Sequence, residues 1–482
     1  MKFRTILVLS FVLLLSASAF SAEDQVQQLQ TQLRQLQQEF EQTRRQQQQQ
    51  IEALTRQLET LANPAGASSA SSLRATVGTL PALSPANVAA TNQGFDGTGA
   101  ARAATPSGAY MNISFGTLID AGWSNVADPS AQLQRGDHDP SKRGFLLRNA
   151  EIALDGAVDP YFKGAANIVL KLDNNNETSI ELEESFLQTT ALPGNLQLKA
   201  GQYFTAFGRQ NSQHPHAWVF VDQPLVLNRA FGPDGLRSIG AQLSWLAPTP
   251  FYTEAILGVQ DGEGGTAHSF RNSGEADAGG INRFAGRATM DRPLRGAKDL
   301  LFVPRLASSF ELTDSTTLLA GLSGAFGPNS TGPDSRTEIY GADFFWKWKP
   351  SVASQGFPYV TWQTEAIYRR LGAAADPLAV VPLPSETLRD SGLYSQIVYG
   401  FKPRWNAGLR LEYATSNAAS SDAGDPLRGQ RRRYSPELTF LPSEFSKLRL
   451  QYNYDRSDLL GTAHSVWMRL EFGLGAHAAH KY

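Results

Sequence analysis

The sequence predicts an all-β protein, a transmembrane antiparallel β-barrel of sixteen strands preceded by an N-terminal α-helical coiled coil. Three observations predict it: an export segment at the start, apolar residues recurring with period two from Tyr110 onward, and connections that alternate between short and long. Each is weak alone. Together they exclude most other classes.

In the export segment, Lys2 and Arg4 precede an apolar run from Ile6 to Leu15, and small residues follow from Ser16 to Ala22. This is the layout of a secretory signal peptide over 1–22, too short to span a bilayer as a helix, which needs about 20 apolar residues. No later stretch reaches that length either, which argues against a helical inner-membrane protein. Cysteine is absent, so disulfide-stapled folds and thiolate metal sites are out. A formal net charge of −2 gives no sign of a nucleic-acid partner.

Between residues 23 and 62 the apolar residues Val26, Leu29, Leu33, Leu36 and Phe40, then Ile51, Leu54, Leu58 and Leu61, sit three and four apart. These are heptad a and d positions, interrupted once by an eleven-residue step from Phe40 to Ile51 across the glutamine block. So narrow a seam needs partner helices, and a periplasmic coiled coil is expected. Residues 63–108, rich in Ala, Ser, Gly, Pro and Thr, lack the apolar surface to order themselves and are expected to form a linker.

The barrel is expected over 109–482. Val466, Met468, Leu470, Phe472 and Leu474 alternate with Trp467, Arg469, Glu471 and Gly473, and the same rhythm recurs at 448–455, 340–348 and 111–116. Short turns are expected at 159–160, 193–195, 248–250, 313–315, 350–356, 403–406 and 442–444. Longer connections are expected near 124–144, 172–178, 205–235, 260–301, 327–335, 371–389, 417–431 and 457–463. Seven turns and eight loops join sixteen strands, the pattern of an outer-membrane barrel. Asn282 to Met290 could add a strand, which with a partner would make eighteen. Trp346, Trp348, Tyr359 and Trp362 cluster where an interfacial aromatic girdle belongs.

The inward register gives Lys199, Lys347, Arg369, Arg410, Arg449 and Arg469 as lumen-lining cations. It also gives the acids Glu151, Asp155, Glu181, Glu183, Asp343, Glu365, Glu412, Asp455 and Glu471. The two sets nearly balance, so no surplus of one sign points to an ion preference. The third long connection carries Trp218, Phe220, Val221, Leu225, Val226, Leu227 and Phe231, which would be costly on an exposed tip. It is expected to fold inward, with Arg209, His214, His216, Asp222, Arg229, Asp234 and Arg237 lining a constriction. His214 and His216 flank Pro215, and with Asp222 they make a candidate first shell for zinc. The plainer expectation is that these histidines hydrogen-bond and that no cofactor is held. His464, His477 and His480 are weaker metal candidates. No catalytic motif stands out, and no enzyme activity is expected.

The residues Arg148 to Gly156 (RNAEIALDG), Glu183 to Leu187 (EESFL) and Gly201 to Phe204 (GQYF) resemble the porin O/P-like, phosphate-selective outer-membrane barrels. HPHAWVFVDQPL from His214, SWLAP from Ser244 and GADFFWKWKP from Gly341 are similar to proteins labelled zinc-regulated outer-membrane proteins. The resemblance covers residue 145 to the end and implies a trimeric, sixteen-stranded porin-like channel with passive flow. The expected function is diffusion of small hydrophilic solutes or ions across the bacterial outer membrane. Zinc or metal-complex uptake through the HPHAW loop is the alternative. Lipid, sister subunits and a periplasmic or cell-wall partner of the coiled coil are the expected contacts.

Overall fold

The computed structural model describes residues 101–104, 110–126, 136–157, 159–173, 177–190, 192–272, 274–276, 280–353, 356–379, 381–417 and 428–475. The expected signal peptide, the coiled coil and all of the linker but four residues lie outside them, as do His477 and His480. Those four, Ala101–Ala104, form a short strand on Tyr110–Ile113, inside the stretch expected to be linker.

Sixteen strands make the barrel. The first seven are β1 (Tyr110–Ser124), β2 (Gly144–Ala157), β3 (Phe162–Leu172), β4 (Thr178–Thr189), β5 (Leu196–Phe204), β6 (Arg237–Leu246) and β7 (Tyr252–Gln260). Then come β8 (Leu301–Thr313), β9 (Thr316–Pro328), β10 (Arg336–Trp348), β11 (Tyr359–Ala373) and β12 (Glu386–Lys402). The last four are β13 (Trp405–Ser416), β14 (Arg431–Ser443), β15 (Ser446–Ser457) and β16 (Gly461–Gly475). Each pairs antiparallel with the next, and β1 pairs with β16 from Ser114↔Gly475 to Ser124↔Ser465. The sheet therefore closes.

Closure is what period-two sequences require in lipid, because an unpaired edge would leave amides and carbonyls without partners. The two faces invert the usual order. On β16, Val466, Met468 and Leu470 are exposed while Trp467, Arg469 and Glu471 between them are buried. On β15, Leu448, Leu450 and Tyr452 are exposed while Arg449, Gln451 and Asn453 are buried. Apolar outside and charged inside is a surface built for lipid around a polar interior. Trp362 keeps to the outer face, its ring 4.8 Å from that of Phe344.

The seven expected turns all join strands where the sequence placed them. Two connections expected to be long are short: residues 173–177 between β3 and β4, and 458–460 between β15 and β16. Asn282 to Met290 adds no barrel strand. Asn282–Phe284 and Arg287–Ala288 instead form a small separate sheet with Glu275–Ala276 inside the connection between β7 and β8. The alternative of eighteen strands falls with it.

Leu393 lies near the middle of β12 and is 42% exposed on the outer face. Leu393→Arg should lower folding stability by about 2–4 kcal/mol in equilibrium refolding into lipid vesicles, the cost of a cation near the bilayer midplane.

Candidate functional site

Two β-bulges concentrate charge on one side of the lumen. In the pairing of β1 with β2 the register shifts so that Arg148 has no counterpart, and Arg148 and Asn149 both turn inward. In the pairing of β3 with β4, Asn167 faces Glu184 and Ile168 faces Leu182, so Glu183 is the extra residue. Glu183 and Glu184 are then both buried, two successive carboxylates where strict alternation allows one.

His214 meets this wall. It is fully buried; its Nδ1 lies 2.8 Å from Glu183 Oε2 and its Nε2 2.9 Å from Glu184 Oε2. Glu151 Oε1 stands 3.7 Å from the same Nδ1, and Glu151 Oε2 lies 3.0 Å from Nδ1 of His216. The amide nitrogen of Asn167 is 3.0 Å from His214 Nε2. The two imidazoles stack with centroids 5.7 Å apart and planes 23° apart. Burial alone would push the His214 imidazolium down, but Glu183, Glu184 and Glu151 hold it well above its ordinary range.

Beside this lies a second cluster. His138 Nε2 is 3.2 Å from Glu183 Oε1 and 3.4 Å from Asp234 Oδ1, while Lys171 bridges Asp137 and Glu181. Burial would raise Asp137, yet Lys171, His138 and Arg148 hold it at about 2. Burial, with Asp137 adding to it against the pull of His138, pushes Asp234 up to about 6. Arg237 closes the group on Glu181.

The segment between β5 and β6 lies against the inner wall on several sides. Its backbone donates from Gly208 to Ser323 Oγ (3.1 Å) and from Arg209 and Gln210 to Glu365 Oε1 (3.1 and 2.7 Å). Val221 donates to Gln451 (2.8 Å) and Leu225 to Glu412 (2.7 Å). Two glycines permit the close approach. A Cβ at Gly208, which has φ 59°, would collide with Glu365, and one at Gly341 would sit 2.5 Å from the Phe207 ring. Helix α1 (Leu225–Phe231) buries Val226, Leu227, Ala230 and Phe231 with Phe207, Phe270, Leu301 and Ile339 in one apolar cluster.

The candidate residues do not form one ring. Asp222 stands apart from His214 and His216, so the expected metal triad is not assembled. Its Oδ1 accepts from Arg410 and from Gln451 at 2.8 Å, and its Oδ2 from Asn453 at 3.0 Å and Arg433 at 3.5 Å. Guanidiniums that match its two oxygens outcompete a site 6 residues back along the chain. Arg209 stacks 4.0 Å over Phe345. Arg229 bonds to Gly429 O at 2.6 Å; burial, with Arg431, Arg369 and Arg428 nearby, pushes its pKa down to about 10. Asp234 and Arg237 belong to the His138 cluster.

Among the lumen candidates, Arg369 pairs with Asp390, Arg410 with Asp222 and Glu412, and Arg469 with Asp120 at 2.7 Å. Arg449 donates to Trp218 O at 3.0 Å. Lys347 is half-buried, and Lys199 lies 4.5 Å from the Phe186 ring. Sequence reasoning missed Glu184, His138, Arg431 and Arg433. Period two would have found the last pair: Arg431, Arg433, Ser435, Glu437 and Thr439 are all buried on β14. Only the three-dimensional bulge and the fold of the first loop reveal the others.

Asp222→Asn removes one carboxylate from two buried guanidiniums, leaving Arg410 with Glu412 and Arg433 with Asp455. It should weaken the docking of residues 207–231 by about 1.5–3 kcal/mol, read as faster hydrogen exchange there with the strands unchanged.

No family profile matches the chain. Among solved structures, the outer membrane channel DcaP of Acinetobacter baumannii shares the fold with a TM-score of 0.51 at 13% identity, covering 77% of this chain and 99% of that one. An anion-selective porin from Comamonas acidovorans aligns with a TM-score of 0.47 at 7% identity over 76% of this chain and 100% of its own, too weak to carry an argument. In sequence, an uncharacterized protein of Aquifex aeolicus is 34% identical over 361 residues, 71% of each chain. At that identity and coverage, the chain belongs to the same family as the Aquifex aeolicus protein.

Proposed function

We propose that the protein is an outer-membrane porin through which small hydrophilic solutes or ions diffuse passively. Residues 205–235 would be its constriction. The observation that carries this reading is the attachment of that segment to the inner faces of β9, β11, β13, β14 and β15 through Ser323, Glu365, Glu412, Arg433 and Gln451. A segment tied at so many points narrows the lumen in a fixed geometry. Arg209, His216 and Asp234, which keep some exposure, would then bound the path, and the buried His214, Asp222, Arg229 and Arg237 would fix the segment behind it. An outward apolar belt and a charged interior support placement in an outer membrane. The DcaP fold likeness supports the channel class, and the porin O/P-like resemblance a finer relationship within it.

The same reading extends to assembly. The heptads of residues 23–62 support a homotrimer whose periplasmic helices bundle beneath three barrels, open to a cell-wall or periplasmic partner.

Purified protein in a planar lipid bilayer should give discrete conductance steps, and a variant lacking residues 209–223 should give larger ones. Silence from folded wild-type protein would overturn the porin reading. Protein lacking residues 23–62 should fold but run as a monomer in native mass spectrometry; persistent trimers would assign the assembly to the barrel itself.

A further inference from the structure

We propose that Glu151, Glu183, His214 and His216 form a binding site for a divalent transition-metal cation, reached from the short-turn end of the barrel. Candidate ligand atoms of Glu151, Glu183 and His214 all lie within 4.8 Å of one another. Ligands around a tetrahedral zinc stand about 3.3 Å apart, given metal–ligand distances of about 2.0–2.2 Å. The separations here bracket that edge: 2.8 Å from His214 Nδ1 to Glu183, 3.7 Å to Glu151, and 3.0 Å from His216 Nδ1 to Glu151. A cation would sit among Glu151, Glu183 and His214, and His216, already bonded to Glu151 but outside that group of three, would complete the shell by a shift of its side chain.

The surroundings fit a metal site as well as the ligands do. A metal-bound histidine ordinarily passes its other ring N–H to a carboxylate, which fixes the tautomer and orients the ring. His214 has that partner in Glu184, 2.9 Å from Nε2. Two imidazoles with two carboxylates suit zinc and its neighbours better than calcium or magnesium, which prefer all-oxygen shells. The backbone presents the pair. His214 is extended (φ −70°, ψ 155°) and Pro215–Ala217 make one tight turn, so the two rings stack on the same side.

Solvent reaches one edge of the site, at His216. A cavity of about 590 Å³, counted with its opening, is lined by His216, Glu151, Asn149, Lys447 and Glu471 and by Glu444 in the turn between β14 and β15. It reaches the exposed side of His216 from the end of the barrel that carries the short turns. The Lys447 ammonium, which would repel a cation, is held 2.6 Å from Glu471 and 2.9 Å from the His216 carbonyl.

This inference goes beyond conduction and stands apart from it. A barrel that binds zinc without conducting would keep the site and lose the porin reading; one that conducts without binding zinc would do the reverse. Full-length protein in detergent, stripped with a chelator, would be titrated with zinc chloride by calorimetry, with magnesium as the control. The expected result is one zinc per chain and no magnesium response. Binding should be lost in His216→Ala and Glu151→Gln, and weakened by about 10–100-fold in Glu184→Gln, whose carboxylate only supports the His214 ring. Heat-dependent gel mobility reports whether each barrel is folded. Should the variants not fold, cobalt(II) added to wild-type protein decides: a visible ligand-field band of tetrahedral strength supports the site. Failure of wild-type protein to bind either metal overturns it, as does unchanged binding in folded His216→Ala and Glu151→Gln.

Discussion

Everything else in the barrel follows from the pairing of β1 with β16. Once the sheet closes, the backbone is satisfied within itself and the side chains divide between two environments with opposite demands. The outer face must be apolar, and it is, from Met111 on β1 to Leu474 on β16. The inner face inherits the charges. In so confined a lumen, those charges need partners more than they would on an open surface, because water solvates them less completely. Arg305 takes both oxygens of Asp343, Arg369 takes Asp390, and Arg431 with Arg433 takes Asp455.

The inward segment belongs to the same accounting. Wall groups that strand neighbours satisfy only in part find further partners in its backbone and side chains: Glu365 accepts from the amides of Arg209 and Gln210, Gln451 accepts from that of Val221, and Arg410 donates to the carbonyl of Asp222 at 2.7 Å. The apolar residues of the segment serve a different end. They fill the space beside β8 to β12, where the wall offers Val303, Ala325, Ile339, Ile367 and Tyr394. Polar anchoring and apolar filling together hold a long connection in place without regular structure beyond α1.

The barrel was legible in the sequence because alternation and turn residues are local signals. Leu450 and Gln451 declare their faces through their immediate neighbours, and Pro442-Ser443-Glu444 declares a reversal. The bulges were not legible. Nothing in the run Glu181-Leu182-Glu183-Glu184 says that one residue is skipped in the pairing, and that skip turns a lone inward acid into a pair. Asp222 misled for the opposite reason. It lies near His214 along the chain, yet its partners are Arg410, Arg433, Gln451 and Asn453, about 190 to 230 positions later. The inward expectation for Arg410 could not say which loop carboxylate it would meet. His138 was invisible because only the fold of the first loop carries it to Glu183.

The two sides of the lumen hold the segment by different chemistry. On β13, β14 and β15 the holding groups are mainly guanidiniums and amides, with the Glu412 carboxylate accepting from Leu225. A guanidinium carries its charge throughout the ordinary pH range and has no lone pair to offer a metal. That side grips the Asp222 carboxylate and backbone groups of the segment, and its guanidiniums offer a cation no ligand. On β2 and β4 the holding groups are carboxylates, and the segment answers with imidazoles, which offer a lone pair once neutral. Glu151, Glu183 and Glu184 converge there on two rings, with the bulge at Glu183 supplying the third carboxylate. The bulge that a strict period-two reading misses therefore adds Glu184, the carboxylate that orients the His214 ring, to the inward acids that face it. The arginine-rich wall of β13 and β14, with unbroken alternation along the buried residues Arg431 to Thr439, presents guanidiniums in their place.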